Sequence, residues 1–102
     1  MQSEAHARSV EAIAARLLAT REALGLNQRQ LCKIADIATN TYNQWENAKG
    51  RPDLDGAFKL CDAFRLTLDW VYSGDDSGLP HDLVLKMRAP APATPRRVKG
   101  GL

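Results

Sequence analysis

The sequence predicts an all-α fold of five short helices, followed by a sixth. Apolar residues such as Leu31 and Ala35 recur at helical spacing in short segments. Residues that start or stop helices bound these segments, with Asn27 at one start and Gly25 at one end. The length of 102 residues is enough for one small domain with tails. These three observations together favour a small helical domain.

Local signals define the first two helices. The first is expected over residues 9–24, with Ile13 and Leu17 facing inward. Gly25 then ends it as a left-handed cap. The second helix starts after Asn27, and Gln30 stands in the capping-box position. An apolar stripe of Leu31, Ile34 and Ala35 is expected along it, before residues 36–38 interrupt the pattern.

The third helix, over residues 39–47, carries the most informative surface. Tyr42 and Trp45, three residues apart, are expected in the core. Base stacking by these rings is a weak alternative, because an intact duplex offers no unstacked base. The opposite face is amide-rich and almost uncharged. Such residues are poor core formers, but their amides can hydrogen-bond to base edges in the DNA major groove. The outward residues are Thr39, Asn40, Asn43 and Gln44.

Three further helices and a tail are expected after this pair. The fourth helix begins at Pro52 and Asp53 and runs to residue 64, and Thr67 caps a fifth that ends near Gly74. Pro80 suits the first turn of a short sixth helix within 79–88. All core positions are expected before Gly78. The expected organisation is a flexible N-terminus (1–8), a domain (9–74), a hinge with a dimerisation helix (75–88) and a disordered basic tail (89–102).

Charge and composition narrow the classes of function. The net charge of +2 is unevenly placed, because residues 1–78 hold nine Lys/Arg against eleven Asp/Glu, whereas 79–102 hold five against one. No apolar run could span a membrane, and no signal peptide is evident, so a cytoplasmic, nucleoid-associated protein is expected.

Cys32 and Cys61 are expected as small buried hydrophobes rather than a disulfide. The distant His6 and His81 suggest no metal site, and no cofactor is expected.

The segment from Leu26 to Pro52 and its flanks resemble the lambda-repressor/Cro type of helix-turn-helix, often called the Xre family. No single position is diagnostic, but the ordered set of matches over about residues 9–74 is specific. The matching features are Arg21 in the first helix, Leu26-Asn27-Gln28 opening the second, Leu31-Cys32 within it, Trp45-Glu46-Asn47 ending the third, the loop 49–52, the apolar fourth helix and the closing segment 66–74.

The resemblance implies a role for each of several residues. Base-edge contacts would come from Thr39, Asn40 and Gln44, while Asn43 could face a base or a phosphate. Gln28 would contact the DNA backbone and brace the third helix, with a solvated helix start as the alternative. Arg21 and Glu46 would form an ion pair that fixes the angle of the third helix, unless they are unrelated surface charges. The implied phosphate contacts are Gln28, Arg29, Thr41, Asn47, Lys49 and Arg51.

Two positions depart from the family pattern. Asp36 stands where the turn usually has Gly, although Asp adopts a left-handed backbone less readily. Ala38 stands where the third helix usually has a Ser or Thr cap. Thr39 could cap this helix instead, which would partly occupy its hydroxyl and weaken its role in reading bases.

The function expected from the sequence is a sequence-specific regulator of transcription that binds double-stranded DNA as a homodimer on a pseudo-palindrome. Repression is the expected sign, because so short a chain has little room for an activation domain. The dimer contacts are expected from Trp70, Val71, Leu83 and Met87. One alternative is an antitoxin that also binds a toxin as protein partner, and another is an interaction module without DNA binding. An enzyme is not expected, because no nucleophile–base pair or phosphate loop is evident.

Overall fold

A computed structural model describes residues 6–88 of the chain, and these form six α-helices without a β-strand. The all-α class and the sixth helix expected from the sequence are therefore confirmed. Within residues 6–88, no helix combines the length and the hydropathy needed to cross a membrane. The helices are α1 (Val10–Ala23), α2 (Gln28–Ala35), α3 (Thr39–Glu46), α4 (Leu54–Phe64), α5 (Leu68–Ser73) and α6 (His81–Arg88).

Side-chain caps explain where most of these helices begin. Ser9 accepts a hydrogen bond from the Ala12 amide at the start of α1, and Thr67 accepts one from the Trp70 amide at the start of α5. Asn27 and Gln30 form the expected reciprocal capping box, with distances of 2.8 and 2.9 Å. These caps satisfy amides that have no partner inside their helix. The helix starts therefore follow from local sequence.

The core lies around α1, which packs against α3, α5 and α6, while α2 packs against α3 and α4. Tyr42 and Trp45 are buried in it, as expected. The buried face of α2 consists of Leu31, Cys32 and Ala35, and Ile34 is 56% exposed. The expectation that Ile34 belongs to the inward stripe is therefore wrong. Cys32 takes its place beside Leu31 in the core.

The sixth helix completes the core. Leu79 and Leu83 are buried, with only 8% and 6% of their surface exposed to solvent. Val84 and Met87 are partly buried and pack against the same hydrophobic core. The prediction that all core positions precede Gly78 is therefore wrong. The physical reason is that α6 lies against α1 and covers apolar surface that the first five helices leave open.

The structure describes only part of the two ends of the chain. Residues 1–5 and 89–102, including the proposed basic tail, lie outside the described residues. Residues 6–8 lie within the segment expected to be a flexible N-terminus, and their backbone carbonyls accept hydrogen bonds from the domain. The Ser9 amide donates to the His6 carbonyl, and the Ala7 carbonyl accepts from Arg16. The Arg8 carbonyl accepts from Arg51.

Candidate nucleic-acid interface

The outer face of α3 is formed by short polar side chains. Thr39, Asn40, Asn43 and Gln44 are all exposed, as a helix in a DNA groove requires. Thr39 interacts with Cys32, but the side chains of the other three make no hydrogen bond within residues 6–88; only the backbone carbonyl of Asn43 accepts one, from Asn47. The side-chain amides of Asn40, Asn43 and Gln44 are therefore available for hydrogen bonds to other molecules, whereas the Thr39 hydroxyl is partly occupied.

The inner face of α3 fixes its position. The rings of Tyr42 and Trp45 meet edge to face, with centroids 5.8 Å apart and planes at 68°. Trp45 also packs against Gly56 of α4. A Cβ at Gly56 would overlap the Trp45 indole and lie 2.9 Å from Asp53 Oδ1. The approach of the Trp45 ring to the α4 backbone therefore requires glycine at this position.

A hydrogen-bonded network ties both preceding helices to the end of α3. Arg21 forms a bidentate ion pair with Glu46, with Nε to Oε2 at 2.8 Å and Nη2 to Oε1 at 3.0 Å. Gln28 donates to Glu46 Oε1 at 2.9 Å, and Arg21 Nη1 donates to the Leu26 carbonyl. The Arg21 and Glu46 side chains are only 16% and 6% exposed. Glu46 thereby joins α1, α2 and α3.

The environment of Glu46 favours its ionised form. Burial alone would raise the pKa of Glu46, but hydrogen bonds, above all from Arg21, outweigh this and lower it. The same ion pair raises the pKa of Arg21. Tyr42 lies beside this carboxylate, and burial raises the pKa of its hydroxyl. No group within residues 6–88 forms a hydrogen bond of normal geometry with that hydroxyl, so the Tyr42 contribution to the pKa of Glu46 is secondary to that of Arg21.

An open groove of about 690 Å³ runs between α2 and the start of α3, and Arg29, Lys33 and Thr39 are among the residues that line it. Ala38 is the N-cap of α3 and provides no side-chain hydrogen bond. Thr39 is the first helical residue, so the alternative that Thr39 caps α3 is wrong. The two exposed cations and the uncapped helix amides would attract a phosphate group, whereas the exposed Asp36 carboxylate in the same groove would oppose it.

The groove also contains Cys32, whose thiol is buried. Burial raises the pKa of Cys32 and prevails over its interaction with the Thr39 side chain, which lowers it. A thiol held protonated in this way is a weak nucleophile. The position of Cys32 therefore agrees with a packing role.

The other proposed phosphate contacts are Thr41, in the first turn of α3, and three residues that follow the C-terminal end of this helix. Lys49 is exposed in the loop, and Thr41 is half-buried. Asn47 donates through Nδ2 to the Asn43 carbonyl at 2.9 Å, so its side chain partly caps its own helix. Arg51 is exposed but donates through Nε and Nη2 to the Arg8 carbonyl, at 3.3 and 2.9 Å. Among the contacts of residues 6–88, Lys49 and Thr41 show no side-chain hydrogen bond, whereas the Asn47 amide and one edge of the Arg51 guanidinium are occupied.

The turn between α2 and α3 is left-handed at Asp36, with φ 61° and ψ 52°. Asp36 thus adopts the conformation for which the family uses glycine. Lys59 of α4 donates to the Asp36 carbonyl at 2.8 Å and holds the turn from outside. Sequence reasoning missed Lys59, and likewise Tyr72, whose hydroxyl donates to the Pro52 carbonyl at 2.6 Å in the loop after α3.

The four residues proposed for dimerisation differ in their accessibility. Val71 is fully buried, and Leu83 lies in the core of the single chain, so neither offers a surface to a partner in this structure. Trp70 is half-buried, and its indole nitrogen donates to Thr20. Met87 is also half-buried and packs against the core. A dimer surface that includes Val71 or Leu83 would require the domain to open.

The comparisons with known proteins agree with this arrangement. A family model described as helix-turn-helix matches residues 17–71, which is more than half of the chain. The chain belongs to the Xre-type, lambda-repressor-like helix-turn-helix family. Searches of curated proteins and of solved structures gave no significant match. The matched region contains α2, the turn at Asp36 and α3, so the two helices of the motif are identified.

Membership of this family indicates a DNA-binding regulator of transcription, and the family is not typically enzymatic. In a helix-turn-helix, the second helix of the motif enters the major groove while the first crosses the DNA backbone. Here α2 is the first helix of the motif and α3 is the second. The exposed amides of Asn40, Asn43 and Gln44 lie on α3, and the exposed cations Arg29 and Lys33 lie on α2.

Proposed function

We propose that the protein is a sequence-specific repressor that binds a pseudo-palindromic operator as a homodimer, in association with the nucleoid. The observation that carries the proposal is the outer face of α3, where Asn40 and Gln44 are exposed on a helix whose other side is anchored in the core. Repression requires only that the protein occupy a promoter. The homodimer is proposed because a single module buries little surface, and two half-sites supply the remaining affinity.

We assign base reading to Asn40, Gln44, Thr39 and Asn43, and phosphate binding to the residues around them. Asn or Gln can pair with adenine through two hydrogen bonds, and a Thr methyl can contact the methyl of thymine. Arg29, Lys49 and Arg51 would add affinity for any sequence. The polar face favours this function over an interaction module without DNA binding, because such a module would present an apolar or acidic α3.

The test begins with selection of a preferred duplex from a random DNA pool. Asn40→Ala and Gln44→Ala should each lower discrimination between that duplex and a scrambled one by about 1–3 kcal/mol, without changing the melting temperature appreciably. Lys49→Ala should instead weaken binding to both duplexes alike and lower the log–log salt slope by about 0.9. Failure of the wild-type protein to enrich any sequence would contradict sequence-specific binding.

The homodimer is tested separately, by sedimentation of the protein alone and with a duplex carrying one or two half-sites. A dimer on the two half-site duplex, with much weaker binding to a single half-site, is the expected result. A single protein chain bound to the two half-site duplex would contradict the proposed stoichiometry and leave sequence recognition by α3 intact.

A further inference from the structure

Residues 6–8, named here the N-terminal turn, are helical at His6 and Ala7 and form a turn at Arg8, and their three consecutive carbonyls all accept hydrogen bonds from the domain. The Ser9 amide donates to the His6 carbonyl at 3.0 Å. Arg16 donates to the Ala7 carbonyl through both terminal nitrogens, with Nη1 at 2.9 Å. Arg51 donates to the Arg8 carbonyl. The turn thus lies between a buried arginine of α1 and an exposed arginine of the loop after α3.

Arg16 is well placed to hold this turn. Only 9% of the surface of Arg16 is exposed to solvent. Nε donates to the Trp70 carbonyl at 3.0 Å, and the guanidinium carbon lies 5.6 Å from the centre of the Trp70 ring. All three guanidinium nitrogens therefore donate to backbone carbonyls of other segments. Arg16 joins α5 to the N-terminal turn and cannot itself reach a phosphate from its buried position.

Arg51 is held on the opposite side of the same turn. Its Nε and Nη2 share the Arg8 carbonyl, so one side of the guanidinium is occupied. The edge formed by the two terminal nitrogens stays available for a bidentate phosphate contact. The backbone of this loop is fixed independently, because Tyr72 donates to the carbonyl of Pro52. The direction of the Arg51 side chain is thus determined mainly by the Arg8 carbonyl.

We propose that the N-terminal turn is a positioning element of the DNA interface, through which buried Arg16 orients Arg51 toward a DNA phosphate. The proposal rests on the proposed DNA binding and on the phosphate contact assigned to Arg51. Orientation before binding reduces the side-chain entropy that Arg51 would otherwise lose on contact. Arg16 is a positioning residue, and neither composition nor helical periodicity distinguishes it from an ordinary surface arginine.

Salt-dependent binding to a fluorescent duplex of mixed sequence tests the proposal, since phosphate contacts do not depend on sequence. Arg51→Ala should lower the log–log salt slope by about 0.9. Arg51→Lys should lose most of the same affinity despite keeping its charge, because an ammonium cannot bridge the carbonyl and a phosphate as the guanidinium fork does. Arg16→Met should also lower the slope, although Arg16 is buried.

Double variants separate positioning from a general loss of structure. Arg16→Met combined with Arg51→Ala should bind within about twofold of Arg51→Ala alone, because the two residues act through one contact. Arg16→Met combined with Lys49→Ala is the matched control. Its fold-loss of duplex affinity should be the product of the two single fold-losses, because these residues act through different contacts. Thermal unfolding verifies that each variant is folded at the temperature of the titration. If Arg16→Met does not fold, Arg51→Lys carries the test.

Three results would overturn the proposal. The first is wild-type affinity in Arg51→Lys, and the second is tighter binding by Arg16→Met. The third is an affinity loss in the Arg16→Met/Arg51→Ala double variant that equals the product of the two single losses. In each of these cases a salt-dependent loss in Arg51→Ala would still support DNA binding. An unchanged salt slope in Arg51→Ala would reject the phosphate contact and the positioning proposal together. Absence of any duplex binding by the wild-type protein would reject the proposed function itself.

Discussion

The Glu46 carboxylate, at the end of α3, accepts hydrogen bonds from Arg21 and Gln28. Its pKa is lowered in the folded protein, whereas an unfolded glutamate has a pKa of about 4.3. A group whose folded pKa is the lower one contributes stability above its unfolded pKa. That contribution is lost as pH falls through the folded value.

We therefore predict that Glu46→Gln is less stable than wild type at pH 7 and that the difference shrinks as pH falls below about 4.3, the pKa of an unfolded glutamate. The cost at pH 7 should stay below the roughly 3–5 kcal/mol of a fully buried broken pair, because Arg21 keeps some exposure. Urea unfolding at several pH values measures it. The exposed Asp62→Asn variant is the control. A difference that does not change with pH would contradict the role of the charge.

A second residue-scale prediction concerns Ala48, which has a positive φ of 59° immediately after α3. A left-handed backbone costs a residue with a Cβ about 1 kcal/mol relative to glycine. Ala48→Gly should therefore raise the free energy of unfolding by up to about 1 kcal/mol. Ala19→Gly, at an exposed position inside α1, should lower it by about the same amount. Thermal unfolding that shows a loss for both variants would reject the argument.

At the scale of elements, the angle between α3 and α4 depends on the contact of Trp45 with Gly56. Gly56→Ala improves helix propensity by roughly 1 kcal/mol, yet the added methyl would overlap the buried indole. Overpacking typically costs about 1–3 kcal/mol, so we predict a net loss of stability and weaker DNA binding as α3 shifts. Gly50→Ala is the matched control, since its Cβ would meet no atom within 4 Å. Equal stabilities of the two variants would contradict a tight Trp45–Gly56 contact.

Local signals made the motif helices predictable. The capping box joins Asn27 to Gln30, and the buried face of α3 carries Tyr42 and Trp45. The two residues of each pair are only three positions apart in the sequence. The contacts of Lys59 and Arg16 could not be predicted, because their acceptors are backbone carbonyls in distant segments. Any exposed position on a helix can carry a lysine or arginine, so neither residue type indicates such a partner.

At the scale of the whole molecule, the boundary of the domain was the least predictable feature. Leu79 and Leu83 follow a segment rich in Asp and Gly, which is typical of a hinge. The burial of both leucines depends on apolar surface of α1 that is distant in sequence. Arg88 also forms an ion pair with Asp76 at 2.6 Å and links the end of α6 to the preceding turn. The helix was predictable from its pattern, but its place in the core was not.

The domain therefore should extend through α6, and this is testable by point variants and by truncation. Leu83→Ala removes a side chain that is 6% exposed and should cost about 2–5 kcal/mol. Leu85→Ala, two residues along the same helix and 55% exposed, should stay within about 0.5 kcal/mol of wild type. A chain ending at Gly78 should melt at a lower temperature than one ending at Arg88, because it exposes the surface of α1 beneath Leu79 and Leu83. Equal melting temperatures for the two shortened chains, together with a neutral Leu83→Ala, would mean that α6 is an accessory helix and would make Leu83 available again as a dimer contact.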